Sequence, residues 1–206
     1  MNSLTHYTMV DLYSGLGGAS EAFHRSADWD ILRIENNEEL LGFVPKTWFH
    51  DVPDLLNAHK WRAVEREMDL LWASAPCTEF SMGYNAPGIK ARREGRPFEP
   101  DMSLITAAIQ LRDLWNPRFW CFENVIGAIP YFEPLLGPPT QIIGPFVLWH
   151  NLPQIVMPQG WKHESKVTMK IPGRVEMRAN LRGKIPLELS EAVIASATAS
   201  TLEDWL

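Results

Sequence analysis

Apolar runs of strand length alternate with segments of helical spacing through the first 125 residues of this chain. We predict buried strands at residues 8–13, 30–35, 68–73 and 118–123, and helices at 19–26, 55–67 and 104–115. Strands that alternate with helices form a mostly parallel sheet with helices on both faces. The sequence therefore predicts an α/β fold, in which ligands bind beyond the carboxyl ends of the strands.

The rest of the chain has weaker patterns. Residues 82–100 are polar and show no periodicity, which predicts a long and functional loop. Prolines follow residue 125, a short strand is predicted at 146–150, residues 158–182 are polar, and a helix is predicted at 187–199. We find no internal repeat and predict a single domain over residues 1–206.

Composition excludes several classes of protein. The chain has 206 residues, 46% of them hydrophobic, and a net charge of −6, which argues against a surface coated in basic residues. Its apolar stretches fall short of the roughly 20 residues that cross a bilayer, and it does not open on a secretion signal, so we expect a soluble cytoplasmic protein. Its two cysteines, Cys77 and Cys121, predict neither a disulfide nor a metal site.

The first predicted strand ends in a glycine-rich turn, Gly15-Leu16-Gly17-Gly18, that leads into a helix. Glycine tolerates positive φ and has no side chain, so the backbone can approach a ligand closely. Glu35 ends the second strand, where nucleotide-binding sheets place an acid for ribose hydroxyls. A turn without a ligand and a solvated strand-end charge are the alternatives. A nicotinamide dinucleotide fits less well, because the third glycine of that fingerprint is missing.

Two reactive side chains follow later strands. Cys77 lies in a loop after the third strand, where an exposed thiol can act as a soft nucleophile once it is deprotonated. Glu123 ends the fourth strand, where burial can raise its pKa and let it serve as an acid. A buried cysteine and a strand-end cap are the alternatives. We expect Cys121, inside an apolar strand, to be such a buried cysteine.

These elements, in this order, resemble the DNA cytosine-5 methyltransferase family. The resemblance rests on Asp11-Leu12-Tyr13-Ser14-Gly15-Leu16-Gly17-Gly18, on Ala75-Pro76-Cys77 with Phe80-Ser81, and on Phe122-Glu123-Asn124-Val125. It covers residues 9–125 and implies a Rossmann-like S-adenosylmethionine-dependent methyltransferase fold. The overall shape, including residues 144–149, is similar to that of compact methyltransferases of phages and prophages, which implies the cytoplasm of a host cell.

The resemblance implies a role for each motif. The family methylates carbon 5 of cytosine after a cysteine attacks carbon 6, so Cys77 is the expected nucleophile and Glu123 the expected acid. Asn124, which with Val125 completes the family's Glu-Asn-Val, is the third predicted catalytic residue. S-adenosylmethionine is the expected cofactor, with Glu35 at its ribose and Asp51 at its adenine amine. For Asp51, a turn or helix-cap role is the alternative. The full set of predicted cofactor-binding residues is Tyr13, Ser14, Gly15, Leu16, Gly17, Gly18, Glu35, Asn36, Asp51, Val52 and Pro76.

DNA is the expected partner, and its target base must leave the stack to reach such a site. The loop after Cys77 is long enough to close on an extruded nucleotide, and Ser81 matches a family serine near the target backbone. The predicted phosphate contacts are Lys90, Arg92, Arg93 and Arg96. A merely solvated, charged loop is the alternative.

The resemblance weakens after residue 125. Residues 183–192 are similar to the last family motif, although the usual asparagine after Gly183 is missing. The sequence lacks the Gln-x-Arg-x-Arg strand that contacts the target base in the family, and Arg178 and Arg182 are candidate substitutes. Glu188 follows Trp149 by only 39 positions, too few for an independent target recognition domain. We therefore expect that domain to be reduced or absent around residues 150–182.

Three consequences stay open. Sequence specificity is either relaxed or supplied by the long loop, the C-terminal segment, a partner or an oligomer. The same chemistry on RNA or on single strands fits the short recognition region and the acidic net charge. An inactive, cofactor-binding subunit is a different class of protein, and the intact Cys77 and Glu123 argue against it.

Overall fold

The computed structural model describes residues 6–57, 68–163 and 178–203. The strands in these ranges are β1 (Tyr7–Leu12), β2 (Trp29–Glu35), β3 (Thr47–Phe49), β4 (Leu70–Ala73), β5 (Phe119–Asn124), β6 (Gln141–Ile143) and β7 (Phe146–His150). The helices are α1 (Glu21–Arg25), α2 (Pro87–Arg93), α3 (Ser103–Trp115), α4 (Ile129–Leu136), α5 (Arg178–Gly183) and α6 (Leu187–Glu203). Short 3₁₀ helices lie at Glu38–Leu40, Val52–Asn57 and Ile126–Ala128.

The described strands form one sheet in the order β3-β2-β1-β4-β5-β7-β6. The five strands from β3 to β5 are parallel, and β7 runs antiparallel to both of its neighbours. The β6–β7 hairpin turns at Gly144, whose φ of 57° favours glycine. From β1 the chain adds β2 and β3 on one side and then β4 and β5 on the other. The topological switch point therefore lies between the carboxyl ends of β1 and β4, where such sheets bind ligands.

Side chains of each central strand alternate between two apolar cores. Met9 and Trp72 lie on the face that packs against α1 and α6. Val10 and Leu71, the neighbours of Met9 and Trp72 in the chain, lie on the opposite face, against α3 and α4. Strands buried on both faces read as continuous apolar runs, which is the pattern that made them predictable. The predicted α/β fold, with a mostly parallel sheet and helices on both faces, is confirmed.

Three parts of the sequence prediction differ from the structure. The short strands β3 and β6 and helix α4 were not predicted. Residues 158–182 were expected to be irregular, yet α5 begins at Arg178. The predicted helix at 55–67 is a 3₁₀ helix over Val52–Asn57 in its described part, and residues 58–67 lie outside the described residues.

The expectation of a loop without regular structure over residues 82–100 is wrong, because α2 lies within it. Pro87 occupies the first turn, where the missing amide costs nothing. At the other end Gly95 adopts a φ of 65°, and the amides of Gly95 and Arg96 donate to the carbonyls of Arg92 and Ala91. This pair of hydrogen bonds is the Schellman C-cap. The start and stop signals were therefore present in the sequence, but the helix is too short to show an apolar period.

The described helices include none long and apolar enough to cross a bilayer.

Candidate active site

A cavity of about 420 Å³ opens at the carboxyl edge of the sheet, where β1, β2, β4 and β5 end. We call it the carboxyl-edge cavity. Ten of the residues predicted for cofactor binding or catalysis line it: Tyr13, Ser14, Gly15, Leu16, Gly18, Glu35, Asn36, Pro76, Cys77 and Glu123. The fold thus gathers into one place motifs that are up to about a hundred residues apart in the chain.

The glycine turn after β1 is tightly constrained. Tyr13, Gly15 and Gly17 have φ values of 58°, 53° and 66°. Tyr13 is a bulky residue in a left-handed conformation, and its hydroxyl donates to the carbonyl of Leu104 at 2.7 Å, which holds it there. Burial also raises the pKa of the Tyr13 hydroxyl, so it stays protonated. Strain of this kind is found where the backbone must present itself to a ligand.

Two glycines of this turn are required for close packing. A Cβ on Gly17 would lie 2.7 Å from Nε of Arg33, and a Cβ on Gly18 would lie 2.4 Å from the carbonyl oxygen of Ile185. At Gly15, by contrast, a Cβ would meet no atom within 4 Å. Gly17 itself does not line the cavity. Gly17 and Gly18 are therefore needed for packing against Arg33 and Ile185, whereas open space remains beside Gly15.

Glu35, the last residue of β2, organises the loops on both sides of the cavity. Its Oε2 accepts from the amide of Gly15 at 2.7 Å, and its Oε1 accepts from the amides of Asn36 and Asn37 at 3.1 and 2.8 Å. The residue is 8% exposed. A carboxylate that accepts three backbone amides is fixed in position.

Asp11 in β1 also lines this cavity, and the sequence patterns did not single it out as a site residue. It is 1% exposed, and its Oδ2 accepts from the hydroxyl of Ser20 at 2.6 Å. That hydroxyl accepts in turn from Nε of the buried Arg33 at 2.7 Å. Burial raises the pKa of Asp11 to about 6, against an ordinary value of 3.8. A charged residue inside an apolar strand is the sequence signal that could have identified it.

Two buried oxygens in the wall have no partner. Oδ1 of Asp11 and the hydroxyl of Ser14 accept or donate no hydrogen bond within the described part of the chain. Both residues line the carboxyl-edge cavity. Unsatisfied buried polar atoms are costly and rare, which makes them markers of a site that a polar ligand completes.

The nucleophile loop begins where β4 ends. Cys77 is half-buried, and its carbonyl accepts from the amides of Phe80 and Ser81 at 3.1 and 2.9 Å, which closes a turn. Asn124, 1% exposed, donates from Nδ2 to the carbonyl of Ala75 at 2.9 Å, and its Oδ1 accepts from the amide of Val125. Asn124 does not line the cavity. It therefore acts by locking the end of β5 to the Cys77 loop.

Glu123 and the two thiols differ in environment. Glu123 is half-buried at the end of β5 and lines the cavity beside Cys77. Cys121, two residues earlier, is 1% exposed, and burial raises the pKa of its thiol well above the ordinary value. A protonated, buried thiol is inert. The prediction that Cys121 is a buried apolar residue is confirmed, and the two cysteines form no disulfide.

The predicted adenine contacts lie outside this cavity. Asp51 is exposed, and the Nδ2 of Asn36 donates to its Oδ1 at 3.5 Å. Val52 is 2% exposed and packs in the core with Leu55. Asp51 thus borders the cavity only through Asn36, and the Val52 side chain is directed into the core.

The C-terminal segment supplies a wall that the sequence predicted only in outline. Asn180, Gly183, Lys184 and Ile185 line the cavity, and Nζ of Lys184 lies 2.7 Å from a Glu21 carboxylate oxygen. Lysine stands where the family motif has asparagine. Arg182 is exposed and lies outside the cavities described here, and the Arg178 side chain lies outside the described residues.

A second cavity, of about 480 Å³, lies between residues 79–82, α2 and residues 126–131. We call it the loop cavity. Of the predicted nucleic-acid contacts, Ser81, Arg92 and Arg96 line it, and Lys90 and Arg93 do not. Arg93 stacks on the ring of Tyr84 at 3.8 Å instead, and Arg96 pairs with Glu94. Arg92 and the pair Lys90 and Arg93 therefore lie on different faces of α2, and Arg96 follows the end of that helix.

Comparisons with known proteins bear on the whole of this arrangement. No curated protein matches the chain significantly. A solved protein described as a candidate DNA modification methyltransferase encoded within an E. coli prophage is 21% identical, with a TM-score of 0.43, over 62% of this chain and 35% of its own. This chain therefore spans about a third of the length of that protein, and at this similarity the function of that protein does not transfer.

The family model described as C-5 cytosine-specific DNA methylase matches residues 7–130, from the first residue of β1 into α4. The match covers more than half of the chain and includes the glycine turn, the Cys77 loop and Glu123. The resemblance predicted from the sequence is confirmed: this chain belongs to the C-5 cytosine-specific DNA methylase family.

Proposed function

We propose that this protein transfers a methyl group to carbon 5 of cytosine in DNA, with S-adenosylmethionine as the methyl donor. One observation carries the proposal: Cys77 and Glu123 line the same cavity as the glycine turn and Glu35. A nucleophile, an acid and a nucleotide-type site in one cavity are the parts that methylation of a poorly nucleophilic ring carbon requires. Membership of the methylase family supports the same reaction.

Cys77 is the proposed nucleophile. Its thiolate forms a bond to carbon 6 of the base, which shifts an electron pair toward carbon 5 and nitrogen 3. Glu123 donates its proton to nitrogen 3 as that charge develops. Carbon 5 then takes the methyl group and releases its proton to solvent water, and the carbon–sulfur bond breaks to return the thiolate. The proton on nitrogen 3 returns to Glu123. Asn124 keeps the two groups in register through its bond to Ala75.

The residues of the carboxyl-edge cavity fit the proposed cofactor. S-adenosylmethionine supplies the methyl group when it is bound. The fixed Glu35 carboxylate retains lone-pair capacity for ribose hydroxyls, and the open space beside Gly15 admits the ligand. The unpartnered oxygens of Asp11 and Ser14 can accept from a cationic amino group. Asn36 brings Asp51 to the rim for the adenine amine, and Val52 supports that rim from the core.

The same proposal covers the predicted domain and partner. We take residues 1–206 as one catalytic domain with a reduced recognition region, acting on DNA in the cytoplasm. Ser81, Arg92 and Arg96 hold the strand from the loop cavity, and Lys90 and Arg93 contact phosphates from the other face of α2. An exposed cation can release counterions from DNA on either face, so the division between faces widens the contacted surface.

Trapping the covalent intermediate tests this function. DNA that contains 5-fluorocytosine should form a stable adduct with the protein in the presence of S-adenosylmethionine. Fluorine takes the place of the carbon-5 proton whose loss releases the enzyme, and it does not leave as that proton does. Cys77→Ser should abolish the adduct. Denaturing electrophoresis of labelled DNA measures it directly, and labelled RNA with the same modified base tests the alternative substrate.

Cys121→Ala is the matched control, since it removes the other thiol of the chain from a position away from the cavity. This variant should still form the adduct. An adduct that persists in Cys77→Ser would contradict the assignment of the nucleophile. An adduct that forms with RNA but not with DNA would show that RNA, and not DNA, is the substrate.

A further inference from the structure

Consecutive segments of chain line the carboxyl-edge cavity and the loop cavity. The chain from Cys77 to Ser81 passes from one cavity into the other, and so does the chain from Glu123 to Gly127. The amide of Ser81 donates to the carbonyl of Cys77 at 2.9 Å, so the two cavities lie about one turn of chain apart. A nucleic acid strand whose target base entered the first cavity would therefore come close to the second.

The loop cavity combines apolar rings with cations. Phe98 and the 36%-exposed Tyr131 provide ring surface, and the exposed Arg92 stands at the wall. Arg92 has no ion-pair partner within the described residues, whereas Arg96 is paired with Glu94. Rings with an adjacent unpaired cation suit a ligand that has a flat apolar body and an anionic group, which is the chemistry of a nucleotide.

The floor of this cavity is set by close packing. A Cβ on Gly127 would lie 2.0 Å from the carbonyl oxygen of Phe80, and a Cβ on Gly88 would lie 3.0 Å from the ring of Phe98. The ring of Phe80 packs in turn on Tyr131 at 5.8 Å between centroids. Close contacts of glycine backbone with Phe80 and Phe98, and of the Phe80 ring with Tyr131, thus shape the cavity without a ligand.

We propose that the loop cavity receives the base of a nucleotide next to the target cytosine, unstacked from its neighbours, with its phosphate at Arg92. This inference rests on the proposed function, and it names the part of the substrate that the loop cavity reads. Tyr131 is the stacking residue. The cavity also supplies a route to local sequence preference in a chain with only 39 positions between Trp149 and Glu188.

Binding to DNA with a missing base tests the proposal. Three duplexes share one sequence. One is intact, one has an abasic site directly 5′ of the target cytosine, and one has an abasic site directly 3′ of it. Their affinities are measured by fluorescence anisotropy for the wild-type protein and for Tyr131→Ala. For each protein, the affinity for the intact duplex is divided by the affinity for an abasic duplex, and the value for the wild type is then divided by the value for Tyr131→Ala. An abasic neighbour also makes the target easier to extrude, but this effect is the same for both proteins and cancels in this final ratio.

We expect that ratio to be about tenfold at one of the two neighbouring positions, the usual worth of a base stacked on an aromatic ring. Tyr131→Phe, which keeps the ring, should restore the wild-type dependence. Leu135→Ala is the matched control, because Leu135 is exposed on the same helix, one turn further on, and does not line the cavity. It should behave as the wild type does.

A ratio of one at both positions overturns the inference, as does a Tyr131→Phe variant that behaves like Tyr131→Ala. The adduct experiment with 5-fluorocytosine distinguishes a failure of this inference from a failure of the proposed function. If the wild-type protein forms the adduct but shows a ratio of one, only the role of the loop cavity fails. If it forms no adduct, the proposed function itself fails.

Discussion

The walls of the carboxyl-edge cavity and of the loop cavity are held together in different ways. Around the first, buried polar groups bond to one another: Glu35 accepts three backbone amides, and Asp11, Ser20 and Arg33 form a buried chain. Around the second, the side chains are apolar or charged and many are exposed, among them Met82 at 67% and Ile126 at 52%. The described part of the loop cavity has no comparable buried polar chain.

This difference separates two kinds of recognition. Buried groups that bond to one another define one geometry and suit a small ligand that must always bind in the same pose. Exposed rings and cations gain most of their stabilisation when a large partner covers them. The carboxyl-edge cavity therefore has a fixed polar wall with two buried oxygens left for a ligand, whereas the loop cavity offers exposed rings and cations for a large partner to cover. The predictions below test each half of this comparison, from the largest expected effect to the smallest.

Gly18→Ala should have the largest effect, because its Cβ would overlap the backbone of Ile185. We expect the free energy of unfolding to fall by about 3 kcal/mol and no measurable binding of S-adenosylhomocysteine. Gly15→Ala is the matched control for stability: its Cβ meets no atom within 4 Å and bears only the cost of a left-handed φ, about 1 kcal/mol. That Cβ enters the space proposed for the cofactor, so only the free energies of unfolding are compared between the two variants. Urea unfolding and calorimetry measure both. Equal losses of unfolding free energy in the two variants would show that close packing at Gly18 does not set this wall.

Glu35→Ala removes the acceptor of three backbone amides and the proposed ribose contact. Binding of S-adenosylhomocysteine should weaken by about 1–3 kcal/mol, the usual cost of leaving a buried polar group unpaired. Glu38→Ala, an exposed acid in the next segment, should leave affinity unchanged. Isothermal titration calorimetry reports both values. Tight binding of a nicotinamide dinucleotide would instead overturn the cofactor assignment.

Asp11→Asn should change how stability depends on pH. The pKa of Asp11 is raised from 3.8 to about 6, so the folded protein binds an additional proton between these values. The contribution of Asp11 to stability is therefore largest at low pH and declines as pH rises to about 6. From pH 8 to pH 5 the wild type should gain about 1 kcal/mol relative to Asp11→Asn. Urea unfolding of both proteins at the two pH values measures it, and parallel curves would refute it.

Arg92→Ala tests the exposed half and should have the smallest effect. Removing one phosphate contact reduces the slope of log K against log salt by about 0.9 on duplex DNA. Arg118→Ala serves as the control, because Arg118 is an exposed cation just before β5, at the opposite edge of the sheet. Affinity measured against salt on two unrelated duplexes should show the change for Arg92 alone. Weaker binding confined to one duplex would indicate base contact at Arg92 instead.

The sequence was sufficient for the central sheet because strands buried on both faces are continuous apolar runs, as at Leu70–Ala73 and Phe119–Asn124. The motif residues follow from this, since each one ends such a strand. Strands β3 and β6 have three residues each and lie at the sheet edges, with Trp48 and Ile142 exposed, so neither forms an apolar run of ordinary strand length. Length and edge position, rather than composition, made them unpredictable.

Contacts between distant residues were the other limit. The chain from Asp11 through Ser20 to Arg33 depends on register between β1 and β2, which local patterns do not encode. The division of the basic residues between two faces of α2 follows from a helix that was predicted as loop. The roles of Asn124 and Val52 likewise depend on what their side chains touch, namely Ala75 and the core around Leu55.

The contact between α6 and α1 has a consequence for biosynthesis. The hydroxyl of Ser190 donates to the carbonyl of Ala19 at 2.6 Å and accepts from the amide of Ala22 at 3.0 Å, and the backbone of Ile185 packs on Gly18. A ribosome that adds about 5–20 residues per second needs on the order of 10 to 30 seconds between the synthesis of Ala22 and that of Ser190. The glycine turn is among the first parts of the protein to be made, yet it acquires its last wall only when Ser190 has left the exit tunnel. During that interval the carboxyl-edge cavity lacks the wall that the C-terminal segment supplies.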